Sequence, residues 1–271
     1  MIVPRKSPLI IGHRGASAVA PENTLAAFAR ALDDSADGIE LDVRLARDGV
    51  PVVVHDPTLL HTGSRKARVE RLTSEALVKI DVGSAFNRKH PLLARVHYGR
   101  QTVPTLDAVF TFMANSSRPE TLVYVEMKAV RKKKSNALLA RAVVDLIRRH
   151  NFHRRAVVIS FNLTTIAMVK KLDPSIRTGA LFGPRQRAIG SRRRIVSRTL
   201  KSGADEILLH HLIAGRGILS LARDAKLAPV VWTVDDPRWV SRAGQNGIHA
   251  IMTNNPAKML VRYALHSGLS G

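Results

Sequence analysis

The carboxylates Glu40 and Asp42 stand two residues apart in GIELDV, and Glu126 and Lys128 stand two apart in VYVEMK. Both segments have strand patterning, and a period of two puts each pair on one face. Like charges brought together in a buried place repel strongly unless something neutralises them. A hard divalent cation does so, and ligation by oxygen alone suits Mg2+ or Ca2+ rather than zinc. Two histidines also end apolar runs, His13 after LIIG and His55 after VPVVV. Imidazoles titrate near neutral pH, so they can take and return a proton. Arg14 and Lys128 add fixed positive charge for an anionic oxygen. The set reads as a cation-assisted acid–base site for an anionic substrate.

Each piece has an ordinary alternative. A carboxylate pair on a strand is usually a solvated face, and a histidine at a strand end is usually a satisfied polar residue. Lys128 has Glu126 within reach as a plain ion-pair partner, and Trp232 suits core packing. What favours a site is the position these residues share on the elements that carry them.

Those elements are eight short runs rich in β-branched residues: LIIG, GIELDV, TLVYVEM, AVVISF, RTGALF, DEILL, PVVWTV and HAIMT. Amphipathic segments such as TLAAFARALDD, NALLARAVVDLIRRH and GILSLARDAKLA alternate with them. Strand–helix alternation predicts a parallel sheet covered by helices, and eight repeats predict a (β/α)8 TIM barrel. The sixth run, DEILL, also reads as loop. In such barrels the active site lies at the C-terminal ends of the strands. His13, Arg14, the Glu40/Asp42 pair, Glu126, Lys128, Ser160, Trp232 and Asn254 all fall at that end.

One segment breaks the alternation. GIELDVRLARDGVPVVVHD carries Asp48-Gly49 between two apolar arms, a hairpin signal of type I′. A two-residue loop there sets Arg47 opposite Val50 and Asp42 opposite His55. Residues from about 57 to 104 have weaker periodicity and read as an insertion after this hairpin, above the barrel. PTLDAVFTFM then reads as a helix capped by Thr105. The whole of 1–271 is expected to be one barrel domain with that insertion.

Composition narrows the field. The 271 residues carry 43 Lys+Arg against 21 Asp+Glu, a formal charge of +22, with 45% hydrophobic residues. A wholly disordered chain is excluded. Without cysteine there is no disulfide, zinc–thiolate site or thiol nucleophile, and a cytoplasmic location is expected. Apolar stretches are broken by charge before they reach the length of a spanning helix. The N-terminal MIVPRKSPLIIGHRG lacks the apolar core and cleavage site of a secretory leader. The positive charge implies an anionic partner, whether phosphorylated substrate, anionic membrane surface or nucleic acid. Aromatic residues are only 4%, which is poor in stacking platforms, so no specific nucleic acid is expected.

The motifs GHRGASAVAPENTLAAFARAL, GIELDVRLARDGVPVVVHD, VEMK, ISF, and WTV followed by TNNP resemble the glycerophosphodiester phosphodiesterase family. The resemblance runs from about Leu9 to Pro256. It implies a (β/α)8 barrel that hydrolyses glycerophosphodiesters to glycerol 3-phosphate and an alcohol. It implies a divalent cation on Glu40, Asp42 and Glu126, with His13 and His55 as the acid–base pair. It further implies phosphate contacts from Arg14 and Lys128, a glycerol pocket lined by Trp232, and a supporting role for Glu22.

Three positions depart from the family pattern: His61 after the H-D motif, Asp235 where Asn is usual, and Asn254 where an acidic residue is usual. They are expected to affect the pocket rim and not the metal or acid–base set. Basic residues Arg65, Lys66 and Arg68, the run Arg131–Ser135, and the GPRQR and SRRR runs are expected to ring the mouth. That charge would steer anionic diesters inward and favour an anionic lipid surface. Two readings compete: a lysophospholipase D acting on membrane lysophospholipids, and a basic nucleic-acid- or anion-binding barrel without activity.

Overall fold

The β-branched runs become strands, and the amphipathic segments between them lay their apolar faces against the resulting sheet. A computed structural model describes residues 7–60, 67–116, 118–130, 133–184 and 191–267, with 262–267 described for backbone only. The first part of the chain forms β1 (Leu9–His13), α1 (Leu25–Asp33), β2 (Gly38–Leu45) and β3 (Pro51–Val53). Short helices α2 (Ser74–Leu77) and α3 (Ser84–Lys89) follow, then α4 (Leu106–Ala114). The strand–helix alternation resumes with β4 (Leu122–Met127), α5 (Lys133–Arg149), β5 (Ala156–Ser160) and α6 (Leu163–Leu172). Next come β6 (Arg177–Phe182), α7 (Arg192–Lys201), β7 (Glu206–His210) and α8 (Arg216–Asp224). The chain ends with β8 (Ala228–Trp232), α9 (Arg238–Asn246), β9 (Ala250–Thr253) and α10 (Pro256–Ser267).

Eight parallel strands run in the order β1, β9, β8, β7, β6, β5, β4, β2, and β1 pairs with β2 to close a TIM barrel. DEILL is therefore a strand. Leu9, Ile11, Tyr124, Ile159, Leu208 and Met252 fill the interior. Ile39, Leu41, Val43, Val123 and Val125 point the other way, against α1, α4 and α5. This alternation turns Glu40, Asp42 and Glu126 inward, above the apolar interior. Register then sets their neighbours, because His13 pairs with Glu40 and Asp42 pairs with Glu126 on adjacent strands.

β3 lies antiparallel on β2, and here the expected register fails. Val43 faces Val53 and Leu45 faces Pro51, with Ala46 N–H donating to Val50 O at 3.0 Å. The loop is Arg47-Asp48-Gly49, three residues long, with Gly49 at φ +82°. A left-handed glycine in the third position is a common form of three-residue hairpin. Asp42 consequently lies across from Val54, whose N–H donates to Asp42 O at 2.8 Å, and not from His55. The loop is held from outside. Arg47 N–H donates to Leu72 O at 2.9 Å, and Asp48 Oδ2 accepts from Ser74 N–H and hydroxyl at 3.0 and 2.8 Å.

The segment between β3 and α4 has its own small core. Leu59, Val69, Leu77, Ile80, Val82 and Val103 pack on Ala46, Val52 and Val54 of the hairpin. Thr105 caps α4 as expected, accepting from Ala108 N–H at 3.1 Å. Among the described residues no helix is long and apolar enough to cross a membrane.

Candidate active site

The turn after β1 is unusual backbone. Arg14 has φ +56° and Gly15 φ +81°. Left-handed conformation costs a non-glycine residue about 1–2 kcal/mol. A Cβ at Gly15 would lie 2.5 Å from the Ala27 carbonyl carbon, so only glycine lets this turn rest on α1. The conformation aims Arg14 N–H at Glu40 Oε2, 3.0 Å away. The side chain then reaches across the mouth, with Nη1 on Glu22 Oε2 at 2.9 Å and Nε 3.1 Å from Asp42 Oδ2.

The Pro-Glu-Asn-Thr segment assigns a task to each polar residue. Glu22 holds Arg14. Asn23, at φ +58°, grips Asp42 twice: its Nδ2 donates to Asp42 Oδ2 at 2.8 Å, and its Oδ1 accepts from Asp42 N–H at 3.1 Å. Thr24 caps α1 by accepting from Ala27 N–H. Sequence reasoning missed Asn23, although it adjoins Glu22 in the same motif. It also missed Arg44, whose spacing from Glu40 and Asp42 continues the period of two along β2. Arg44 Nε donates to His55 O at 2.8 Å and so fixes the end of the hairpin.

Glu40, Asp42 and Glu126 each offer a carboxylate oxygen within 4.8 Å of the others. Lys128 Nζ sits 2.8 Å from Asp42 Oδ1 and 2.6 Å from Glu126 Oε1. Burial pushes Glu40 up to about 8, with the Asp42 charge adding to it. The same causes, burial and then Asp42, push Glu126 up to about 7. Burial pushes Asp42 up as well, but Lys128, Arg14 and His55 outweigh it and hold that carboxyl below the usual range. Glu40 Oε1 is buried and has no hydrogen-bond partner among the described residues. Opposite ligands of a cation bound at roughly 2.0–2.6 Å stand about 4–5 Å apart. The all-oxygen set, its spacing and the unpartnered Glu40 oxygen therefore fit a hard divalent cation.

These shifts predict a pH dependence. Glu40 and Glu126 hold protons in the folded, cation-free protein that the unfolded chain has already released above its ordinary carboxylate range. Stability contributed by these groups therefore falls as pH rises from about 4.5 to about 8. In EDTA, melting temperatures at pH 5.5 and 8 should diverge more for the wild-type chain than for Glu40→Gln. An equal divergence would count against buried, protonated carboxyls. Mg2+ or Ca2+ at pH 8 should raise the wild-type value.

Both histidines are tied at Nδ1. His55 Nδ1 is 2.7 Å from Asp56 Oδ1. His13 Nδ1 is 2.8 Å from Asn254 Oδ1, and its Nε2 lies 3.9 Å from Glu40 Oε2. Asn254 Nδ2 donates to Asp235 Oδ2 at 2.8 Å, which turns the amide oxygen toward His13. An amide oxygen only accepts, so His13 carries its proton on Nδ1 and presents Nε2 as the lone pair. Asp235 and Asn254 thus bear directly on the acid–base set, contrary to the expectation that they shape only the rim. Burial lowers both histidines below the usual imidazole value; Arg14 adds to this at His13, while Asp42 opposes it at His55.

A cavity of about 530 Å3 opens beside the cluster, lined by Glu126, Lys128, Ser160, Phe161, Asn162 and Arg44, among others. Trp232 stands behind its rim, edge-on to Phe161 at 5.5 Å between ring centroids. The structure thus brings together His13, Arg14, Glu22, Glu40, Asp42, His55, Glu126 and Lys128, with Trp232 one residue back. His61, Arg65, Lys66, Arg131, Lys132 and the arginines of GPRQR lie outside the described residues.

Comparison with known proteins agrees with this geometry. A sequence model described as the glycerophosphoryl diester phosphodiesterase family matches residues 13–258. A glycerophosphodiester phosphodiesterase of Caldanaerobacter subterraneus is 32% identical, covering 93% of this chain and 96% of its own. The crystal structure of a glycerophosphodiester phosphodiesterase from Agrobacterium tumefaciens superposes with TM-score 0.75 at 26% identity, over 94% of this chain and 99% of that one. An Oleispira antarctica phosphodiesterase, solved with the product sn-glycerol-3-phosphate, shares the fold with TM-score 0.82 at 24% identity, over 95% of this chain and 97% of that one.

Proposed function

The chain belongs to the glycerophosphoryl diester phosphodiesterase family, and on that premise we propose how its own residues act. The reaction is hydrolysis of a glycerophosphodiester to glycerol 3-phosphate and an alcohol. One observation carries the assignment: the buried Glu40–Asp42–Glu126 cluster lies among His13, Arg14, His55 and Lys128.

Glu40, Asp42 and Glu126 would hold the divalent cation, Mg2+ or Ca2+. When bound, the cation supplies Lewis-acid charge for the phosphate oxygens. Arg14, pre-oriented by Glu22 and Asp42, binds a non-bridging oxygen, and Lys128 offers a second charge from the cavity side. Both stabilise charge that grows on those oxygens in the transition state. His13 and His55 are each fixed at Nδ1, which leaves Nε2 to act. One takes the proton of the attacking hydroxyl, from water or from the neighbouring glycerol hydroxyl. The other donates to the departing alkoxide. Phe161, backed by Trp232, provides an apolar wall for the glycerol carbons.

The test is glycerol 3-phosphate release from glycerophosphocholine. EDTA should abolish it and Mg2+ or Ca2+ should restore it. Release that is indifferent to EDTA would overturn the role given to the three carboxylates.

An anionic membrane surface is a further partner in this reading. Exposed Val130, Phe161 and Leu212 all follow strand ends at the mouth, where apolar tips on a basic protein suit a lipid interface. The absence of cysteine supports a cytoplasmic location. A basic binder without activity is the weaker reading, since binding alone gives no reason to bury three carboxylates.

A further inference from the structure

A second cavity, of about 510 Å3, adjoins the site on the other side of Arg44 and Lys128. Those two residues line both cavities. The two spaces differ in chemistry. The first adds Glu126 and Arg198 to the shared pair, with Phe161, Ser160 and Asn162 placed to meet neutral carbons and hydroxyls. The second is lined by Arg44, Arg47, Arg68 and Arg71, with Glu70 as the acidic residue and Leu138 and Leu139 of α5 on its apolar wall.

Part of the positive charge there has no ion-pair partner. Glu70 is taken by Arg68 at 2.9 Å. Asp48, at the hairpin tip, is taken by Ser74. Lys128 is held by Asp42 and Glu126. Among the described residues Arg47 and Arg71 form no ion pair; Arg44 donates to His55 O and also lies in the field of Asp42, Asp56, Glu126 and Glu70. The backbone beneath the cluster is held. The bond from Arg47 N–H to Leu72 O locks the hairpin to the turn that carries Arg71. That places the exposed Arg47 and Arg71 side chains on neighbouring turns, and a planar guanidinium suits the oxygens of an oxyanion.

A phosphodiester has two arms, and two cavities meet where its phosphate would lie. Resting on the reaction assigned above, we propose that the arginine-lined cavity receives the departing alcohol and selects diesters whose alcohol bears its own phosphate. Choline, a cationic alcohol, is disfavoured there. A free anion of similar size competes for the same place.

The test compares glycerophosphocholine with a diester of glycerol 3-phosphate whose alcohol is a second glycerol phosphate. With the cation-loaded protein, kcat/KM should be at least tenfold higher for the second, and the ratio should shrink as salt is raised. In Arg47→Ala/Arg71→Ala the ratio should fall at least tenfold with the melting temperature unchanged. Calorimetry in EDTA, where turnover is stopped, should rank the two diesters the same way and lose that ranking in the double variant. Equal kcat/KM values, or a ratio that survives the double substitution, overturn the proposal. If neither diester is hydrolysed but the ranking in EDTA holds, the reaction assignment falls and the anion site stands.

Discussion

Replacing His13 by alanine lowers kcat on glycerophosphocholine by about 10²–10⁴-fold, the range for loss of a positioned proton carrier. The fold should survive, because Asn254 keeps Asp235 and Ser17 as partners when the imidazole is gone. His55→Ala should fall within the same range, and its Asp56 is half-exposed and readily solvated. The two losses can be told apart with a diester of p-nitrophenol. That leaving group departs without protonation, so the variant lacking the acid recovers rate and the one lacking the base does not. Turnover within threefold of wild type in either variant would falsify its role. The Asn254 contact adds a finer expectation: Asp235→Ala frees the amide to turn, and kcat should fall about tenfold or more with KM little changed.

Lys128→Met should destabilise the cation-free protein by about 3–5 kcal/mol, the cost of breaking a buried pair from one side. Lys128 faces two carboxylates, Asp42 and Glu126, and its loss leaves Arg14 as the close ion-pair partner of the ionised Asp42. Denaturant unfolding in EDTA at pH 7.5 measures this, and Mg2+ or Ca2+ should recover part of the loss. A loss under 1 kcal/mol would mean that the Asp42 carboxylate does not depend on Lys128. Arg14→Met should act similarly with an added defect in substrate binding.

The barrel was legible because its strands announce themselves. Runs such as LIIG and AVVIS are apolar and β-branched, and the helices between them are amphipathic. Glu40, Asp42 and Glu126 were legible for the same reason, since acids inside such runs are out of place. The hairpin register was not. Asp48-Gly49 serves a two-residue or a three-residue loop, and the choice is made by Leu72 and Ser74, which grip the loop from the next segment. Nor did the sequence show that Asn254 would meet His13, a contact 241 residues apart in the chain. Arg44 was within reach, because it continues the spacing that singled out Glu40 and Asp42. Its role depends on the His55 carbonyl just beyond the facing strand, which periodicity alone does not reveal.

The pairing of β1 with β9 has a consequence for how the chain reaches its working state. It joins segments far apart in the chain, the kind of contact whose loop entropy makes it slow to form. Until it forms, both strands offer bare edges to other chains, and His13 has no Asn254 to set its tautomer. Closing the ring therefore protects the chain from aggregation and arms its proton carrier in one event, so a chain that has stalled short of closure is at once inert and prone to self-association.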